Sequence, residues 1–337
     1  MILRKFAVLI LCLPSAFFLG ACSMVVLPYH GDVASKTDHG SADRRSLGRG
    51  PRDSAVFLQE IPAEGNDWHQ TYYFSLPISE THTEGKYYRS RVPGKKKAVI
   101  VLPIYGSSEI PSASTASHLL DWDTNVVLLA DSGDLLEWEF LAQTKTEKEF
   151  FDSIKRTRRR FEETLSGIGV ILAWLDREPD VDSRRIGIVG FSLGAMVATI
   201  AAGADQRISA AALVMAGAGF DEIFLNSRAE FISNVRKNAF LKFALNPDRF
   251  SEKIREATRD IEPAYWAKNI HPRQAILFQA VKDSFIPEYS RRELYHALGA
   301  PETVIFLHDH KTSFLSTTIA GLNYTPWKIR QFFRKRL

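Results

Sequence analysis

Short apolar runs that alternate with helical stretches constrain the fold of this chain more than any other sequence feature. Six such runs lie at residues 98–103, 125–130, 185–190, 210–216, 274–280 and 303–307. A continuous apolar run of this length is typical of a strand that is covered on both faces. Helical patterns, notably over about 147–174, separate several of these runs. We therefore predict an α/β fold, with a mostly parallel central sheet and helices on both of its faces.

Two further strands are predicted ahead of these runs. Residues 69–77 and 86–92 are rich in aromatic and β-branched side chains, and the turn-prone pair Glu84-Gly85 lies between them. Counted from the first of these strands, the run at 210–216 is the sixth. The segment that follows it, 219–269, is too long for a plain connection and has a helical pattern. We expect it to form a helical, lid-like insertion after the sixth strand.

The most specific chemical motif is the pentapeptide G-F-S-L-G at residues 190–194. It lies directly between a predicted strand and an Ala-rich helical run. In this context a G-x-S-x-G motif forms a nucleophile elbow, in which the serine occupies a strained turn and the glycines leave room for neighbouring backbone. The start of the helix also directs N–H groups toward developing negative charge. Ser192 is therefore the predicted nucleophile, and the N–H of Leu193 is the first predicted oxyanion donor.

With this motif in its strand-to-helix context, the chain resembles the α/β-hydrolase superfamily, in particular its serine esterase and dienelactone-hydrolase-like branch. The resemblance covers about residues 68–320 and implies an α/β-hydrolase domain over 68–337. It also implies a catalytic set in the order serine, acid, histidine. The expected activity is hydrolysis of carboxylic esters through an acyl-enzyme on Ser192, without a cofactor. Since Cys12 and Cys22 are the only cysteines and no histidine cluster completes a site, we expect no metal.

A serine hydroxyl needs a base to take its proton, and the base needs an acid to orient it. Asp283 is the predicted acid because it follows the run at 274–280, where the resemblance places such a residue; Asp221 is the alternative. His310 is the predicted base because it directly precedes a predicted final helix, where the resemblance places the catalytic histidine; His308 is the alternative. Asp309 stands where the family often has glycine, which leaves the choice between the two histidines open.

The second oxyanion donor is expected in the loop after the run at 98–103. The His-Gly pair usual in the family is absent there, and Pro103-Ile104 occupies the matching place. By this analogy the backbone N–H of Tyr105 is the predicted donor, and that of Ile104 is the next candidate.

The first 22 residues resemble a bacterial lipoprotein signal. Basic residues precede an apolar segment of about 14 residues, which is shorter than the ~20 that a membrane-spanning helix needs. The tetrapeptide L-G-A-C at 19–22 then resembles a lipobox. We predict a signal peptide over 1–21 and an acylated Cys22, with ordinary signal cleavage as the alternative. Ser23 implies, by the same resemblance, a lipid-anchored protein of the cell envelope in the outer membrane, facing the periplasm.

Residues 22–67 are predicted to form the lipidated N-terminus and a flexible tether. The segment from about 30 to 54 holds almost no large apolar side chain, so it cannot bury enough surface to offset its ordering entropy.

The near balance of basic and acidic side chains limits the classes of partner that the chain can be expected to bind. The formal net charge is +4, from 43 basic and 39 acidic side chains, which is far from the basic excess of a nucleic-acid-binding protein. We expect a small-molecule or lipid ester as substrate, contact with a membrane through the lipid anchor, and no nucleic acid. The oligomeric state stays open. Thioesterase, acyltransferase or peptidase activity would use the same residues, and a non-catalytic envelope lipoprotein that binds a partner is the rival from another class.

Overall fold

The computed structural model describes residues 24–29, 57–78, 81–133, 135–318 and 323–337. The predicted signal peptide at 1–21, Cys22 and residues 30–56 of the predicted tether lie outside these ranges. Within the described ranges, no helix combines the length and the apolar character that a membrane crossing requires.

Ten strands of the described residues form one sheet: β1 Met24–Leu27, β2 Phe57–Glu60, β3 His69–Ile78, β4 Thr81–Ser90, β5 Lys96–Val101, β6 Thr124–Leu129, β7 Val181–Phe191, β8 Ile208–Val214, β9 Ala275–Ala280 and β10 Glu302–Phe306. Their order in the sheet is β1-β10-β9-β8-β7-β5-β6-β4-β3-β2. Strand pairs from β10 across to β6 are parallel, whereas β1, β4, β3 and β2 pair in antiparallel fashion.

Helices cover both faces of this sheet. Alternate side chains of the central strands enter two separate cores, as Ile100 does on one face and Val99 on the other. The helices are α1 Ile110–Leu119, α2 Trp138–Gln143, α3 Glu147–Leu175, α4 Leu193–Ala204, α5 Phe220–Asn226, α6 Glu230–Phe243, α7 Pro247–Thr258, α8 Pro263–Ala267, α9 Glu288–Ala297, α10 His310–Thr318 and α11 Tyr324–Arg336. Helices α3 and α4 pack in the first core, and α1 and α11 pack in the second. The predicted α/β architecture is confirmed.

The region after β8 is helical, as predicted, because α5 to α8 fill residues 220–267. Strand β8 corresponds to the sixth predicted strand. It is the eighth in the chain because the structure contains two strands that the sequence analysis did not predict. Both β1 and β2 lie within 22–67, the segment predicted as a tether, and they pair with β10 and β3. Each has only four residues, too few for a clear pattern of alternation.

The predicted turn at Glu84-Gly85 is wrong. Gly85 lies inside β4 and pairs with Phe74 of β3 and Leu129 of β6. A Cβ atom on Gly85 would lie 2.0 Å from the carbonyl oxygen of Leu128. Glycine is required here because β4 and β6 approach each other closely, and not because the chain turns.

Candidate active site

Ser192 lies at the sharp junction between β7 and α4. Its backbone angles, φ 51° and ψ −113°, are in a region that costs a non-glycine residue about 1–3 kcal/mol. Two hydrogen bonds hold the bend: the Ser192 N–H donates to the carbonyl of Val214 at 2.8 Å, and the Ser192 carbonyl accepts from the N–H of Ala195 at 2.9 Å. A Cβ atom on Gly194 would lie 2.0 Å from the carbonyl oxygen of Pro103. The structure thus has the strained strand-to-helix turn that the motif predicts.

A buried pair of side chains joins the loops after β9 and β10. The Nδ1 atom of His310 lies 2.7 Å from Oδ2 of Asp283, and both residues are buried. The other carboxylate oxygen of Asp283 accepts the N–H groups of Phe285 and Ile286 at 2.8 and 2.9 Å. These backbone donors fix the carboxylate, so its second oxygen is directed at the imidazole. A carboxylate in this position favours the tautomer with the proton on Nδ1 and keeps Nε2 as an acceptor.

Aromatic packing fixes the plane of the His310 ring. The ring stacks on Phe285 with centroids 4.8 Å apart, and it meets Phe314 edge to face at 5.1 Å. His310 is also the first residue of α10. Imidazole orientation is therefore determined from three sides, by one carboxylate and two rings.

The alternative acid has different partners. Asp221, on α5, accepts hydrogen bonds from the hydroxyl of Ser251 and the guanidinium of Arg255, both at 2.6 Å. Both partners belong to α7, so the carboxylate joins two helices of the insertion. The structure thus places Asp283 beside His310, whereas Asp221 is hydrogen-bonded to α7.

Ser192, Leu193, Tyr105 and His310 line one cavity of about 460 Å³ at the carboxyl edge of the parallel strands. Asp283 lies behind His310, where it contacts the imidazole. The cavity therefore brings together the predicted nucleophile, the predicted base and both predicted oxyanion residues.

The loop after β5 has an unusual conformation at Tyr105, whose φ is 62°. Its side chain is buried in the core, and burial raises the pKa of the phenol. The next two residues are held by Asp131, whose carboxylate accepts the N–H groups of Gly106 at 2.9 Å and of Ser107 at 3.2 Å. It also accepts the N–H of Gly133 at 2.9 Å. Asp131 thus fixes the backbone that directly follows Tyr105, the predicted oxyanion residue.

Sequence reasoning missed Asp131, although a signal was present. The residue directly follows the apolar run at 125–130, and β6 lies next to β5 in the sheet. A polar side chain at the carboxyl end of a neighbouring parallel strand is placed to reach the loop after β5.

The described ranges lack a candidate metal site. Groups of three or more His, Cys, Asp or Glu side chains arranged to hold an ion do not occur there.

A family profile and several solved structures match this chain. The dienelactone hydrolase family profile matches residues 87–303, which is more than half of the chain. No curated protein sequence matches this chain significantly.

Solved structures share the architecture at low sequence identity. The acetyl xylan esterase from Paenibacillus sp. R4 is 16% identical with a TM-score of 0.63, over 84% of this chain and 89% of that chain. Acetyl xylan esterase 1 from Thermoanaerobacterium sp. JW/SL YS485 is 14% identical with a TM-score of 0.62, over 84% and 88%. Pyrococcus horikoshii acylaminoacyl peptidase is 16% identical with a TM-score of 0.56, over 81% and 42%. These similarities show that the chain has the α/β-hydrolase fold.

Proposed function

We infer that this chain, which belongs to the dienelactone hydrolase family, is a serine hydrolase that cleaves carboxylic esters. One observation carries the proposal: a strained serine and a histidine line the same cavity, and the histidine is held at 2.7 Å by a buried carboxylate. This is the constellation that acyl transfer through a serine requires.

In the proposed mechanism, the hydroxyl oxygen of Ser192 attacks the ester carbonyl while Nε2 of His310 takes its proton. The tetrahedral oxyanion accepts hydrogen bonds from the N–H groups of Leu193 and Tyr105. As the first residue of α4, Leu193 has an N–H without an intrahelical acceptor. The Asp283 carboxylate stabilises the imidazolium that forms.

Collapse of the intermediate breaks the bond to the alcohol, which leaves with the proton from His310. Water then attacks the acyl-enzyme, again with His310 as base, and releases the carboxylic acid and free Ser192. The sum is one ester and one water converted into one acid and one alcohol.

Hydrolysis of p-nitrophenyl butyrate tests this proposal. We expect Ser192→Ala to lower kcat by about 10⁴-fold or more. Ser209→Ala is the matched control. Ser209 lies at the start of β8, where its hydroxyl donates to the carbonyl of Arg184, so the loss of this hydroxyl should leave kcat unchanged. A Ser192→Ala enzyme as fast as the wild type overturns the proposal.

Assays with other substrates separate the alternative activities. Turnover of thioester, peptide and acyl-transfer substrates is compared with turnover of the butyrate ester, and the fastest reaction identifies the activity. A wild-type chain that turns over none of them would favour the non-catalytic envelope lipoprotein.

We also propose that Cys22 carries a lipid anchor in the cell envelope, in the outer membrane and facing the periplasm. Met24, two residues later, pairs with Phe306 at the carboxyl end of β10. Ser192 follows the carboxyl end of β7, which lies at the same edge of the sheet. An anchor on Cys22 would therefore hold the active-site edge beside the bilayer. Mass spectrometry of the mature N-terminus tests this, and an unmodified Cys22 refutes it.

A further inference from the structure

The cavity beside Ser192 has an apolar interior. Its buried lining side chains are mostly aliphatic or aromatic, and they include Leu136, Met196, Phe220, Ile223, Phe224 and Ile232. Its polar lining residues outside the proposed catalytic set, Ser107, Glu139 and Lys311, are exposed. The polar groups therefore lie at the rim, and the interior offers mainly apolar contacts.

An unbroken series of ring contacts leads from His310 along the wall of this cavity. Phe285 stacks on His310 and lies 5.7 Å from Phe231, centroid to centroid. Phe231 lies 5.1 Å from Trp138, which in turn lies 5.2 Å from the fully buried Phe224. The wall thus runs from the proposed base into the interior, and it is built by the loop after β9, by α2 and by the first two helices of the insertion.

We propose that this cavity binds an unbranched aliphatic acyl chain of about eight carbons, while the alcohol part of the ester stays near the polar rim. This assignment rests on the proposed ester hydrolysis and adds its substrate class. An acyl chain loses water contact at every methylene and requires no hydrogen bonds. A sugar or another polyol in the same place would bury hydroxyl groups opposite apolar side chains, and unpaired buried hydroxyls are costly.

The cavity is large enough for a chain of this length. A methylene group is about as large as a water molecule, whose share of liquid volume is roughly 30 Å³, so eight carbons fill roughly 240 Å³. The cavity of about 460 Å³ then retains space for the alcohol. An acetyl group would leave most of the apolar wall without contacts.

A series of p-nitrophenyl esters, from acetate through butyrate and hexanoate to octanoate, tests the proposal on the full-length protein. We expect kcat/KM for octanoate to exceed that for acetate by at least about tenfold. Equal values, or a preference for acetate, overturn the acyl site while the serine hydrolase assignment stands. Absence of hydrolysis of every ester overturns both.

Substitutions on α6 locate the site. Ile232→Phe fills the cavity, so we expect the ratio of octanoate to acetate kcat/KM to fall at least about fivefold. Leu241→Phe is the matched control, because Leu241 lies on the same helix but is 84% exposed and does not line the cavity. Its ratio should equal that of the wild type.

A second variant covers the case in which Ile232→Phe does not fold. Phe231 lines the cavity but is 37% exposed, so Phe231→Ala removes acyl contacts with little loss of core. We expect its ratio of octanoate to acetate kcat/KM to fall as well. A ratio unchanged in Phe231→Ala, or lowered as much by Leu241→Phe, places the acyl chain elsewhere and overturns the proposal.

Discussion

Replacement of Asp283 by asparagine tests how the imidazole is held. One oxygen of Asp283 accepts two backbone N–H groups, and the other faces Nδ1 of His310 at 2.7 Å. In Asp283→Asn, the amide oxygen keeps the backbone donors, so the amide NH₂ faces Nδ1. The His310 proton must then move to Nε2. That nitrogen can no longer take the proton of Ser192.

The expected loss is large because the carboxylate is fully buried and solvent does not screen it. The wrong tautomer in a serine protease triad costs about 10⁴ in kcat, which corresponds to about 5.4 kcal/mol of transition-state stabilisation. The KM should change little, since Asp283 lies behind the imidazole and does not line the cavity.

Steady-state hydrolysis of p-nitrophenyl butyrate measures both constants, and thermal unfolding verifies that each variant is folded. Asp221→Asn is the matched control, because Asp221 is also buried but pairs with Arg255. Its kcat should remain within about threefold of the wild type. If Asp283→Asn stays within tenfold of the wild type, or if Asp221→Asn causes the larger loss, the assignment of the acid is refuted.

The remaining predictions concern the base, the oxyanion loop and the elbow. His310→Ala should lower kcat by about 10⁴-fold while His308→Ala changes it little, and comparable losses in the ester assay would contradict the assignment. Asp131→Ala releases the amides that it holds, so kcat should fall by about tenfold to a hundredfold with an unchanged KM; a change in KM alone would oppose this. Gly194→Ala places a methyl group against the carbonyl of Pro103 and should lower the free energy of unfolding in urea by about 1–3 kcal/mol, whereas wild-type stability would show that the elbow has room.

The parallel strands could be predicted because each is covered on both faces and therefore appears as a continuous apolar run. The run at 125–130 corresponds to β6 at Thr124–Leu129, and the run at 303–307 to β10 at Glu302–Phe306. Strands β1 and β2 could not be predicted in this way. Their position depends on pairing with a distant partner, and that information is absent from a four-residue pattern.

The site shows the same division between local and distant information. The elbow at Ser192 could be predicted because its strained turn requires glycines only two positions away on either side, at Gly190 and Gly194. The hydrogen bonds of Asp131 join segments 25 residues apart, and the walls of the cavity include side chains of α2, α5 and α6. Contacts of this kind arise only when the chain is folded, so the sequence indicated a reactive serine but not the shape of the space beside it.

Covalent labelling tests the central claim most directly. A fluorophosphonate reacts with a serine only where a base and an oxyanion site activate it. After treatment of the folded protein, peptide mass spectrometry should find a single adduct, on Ser192, and Ser192→Ala should remain unlabelled. An adduct on another residue, or equal labelling of the wild type and Ser192→Ala, would contradict the proposed role of Ser192.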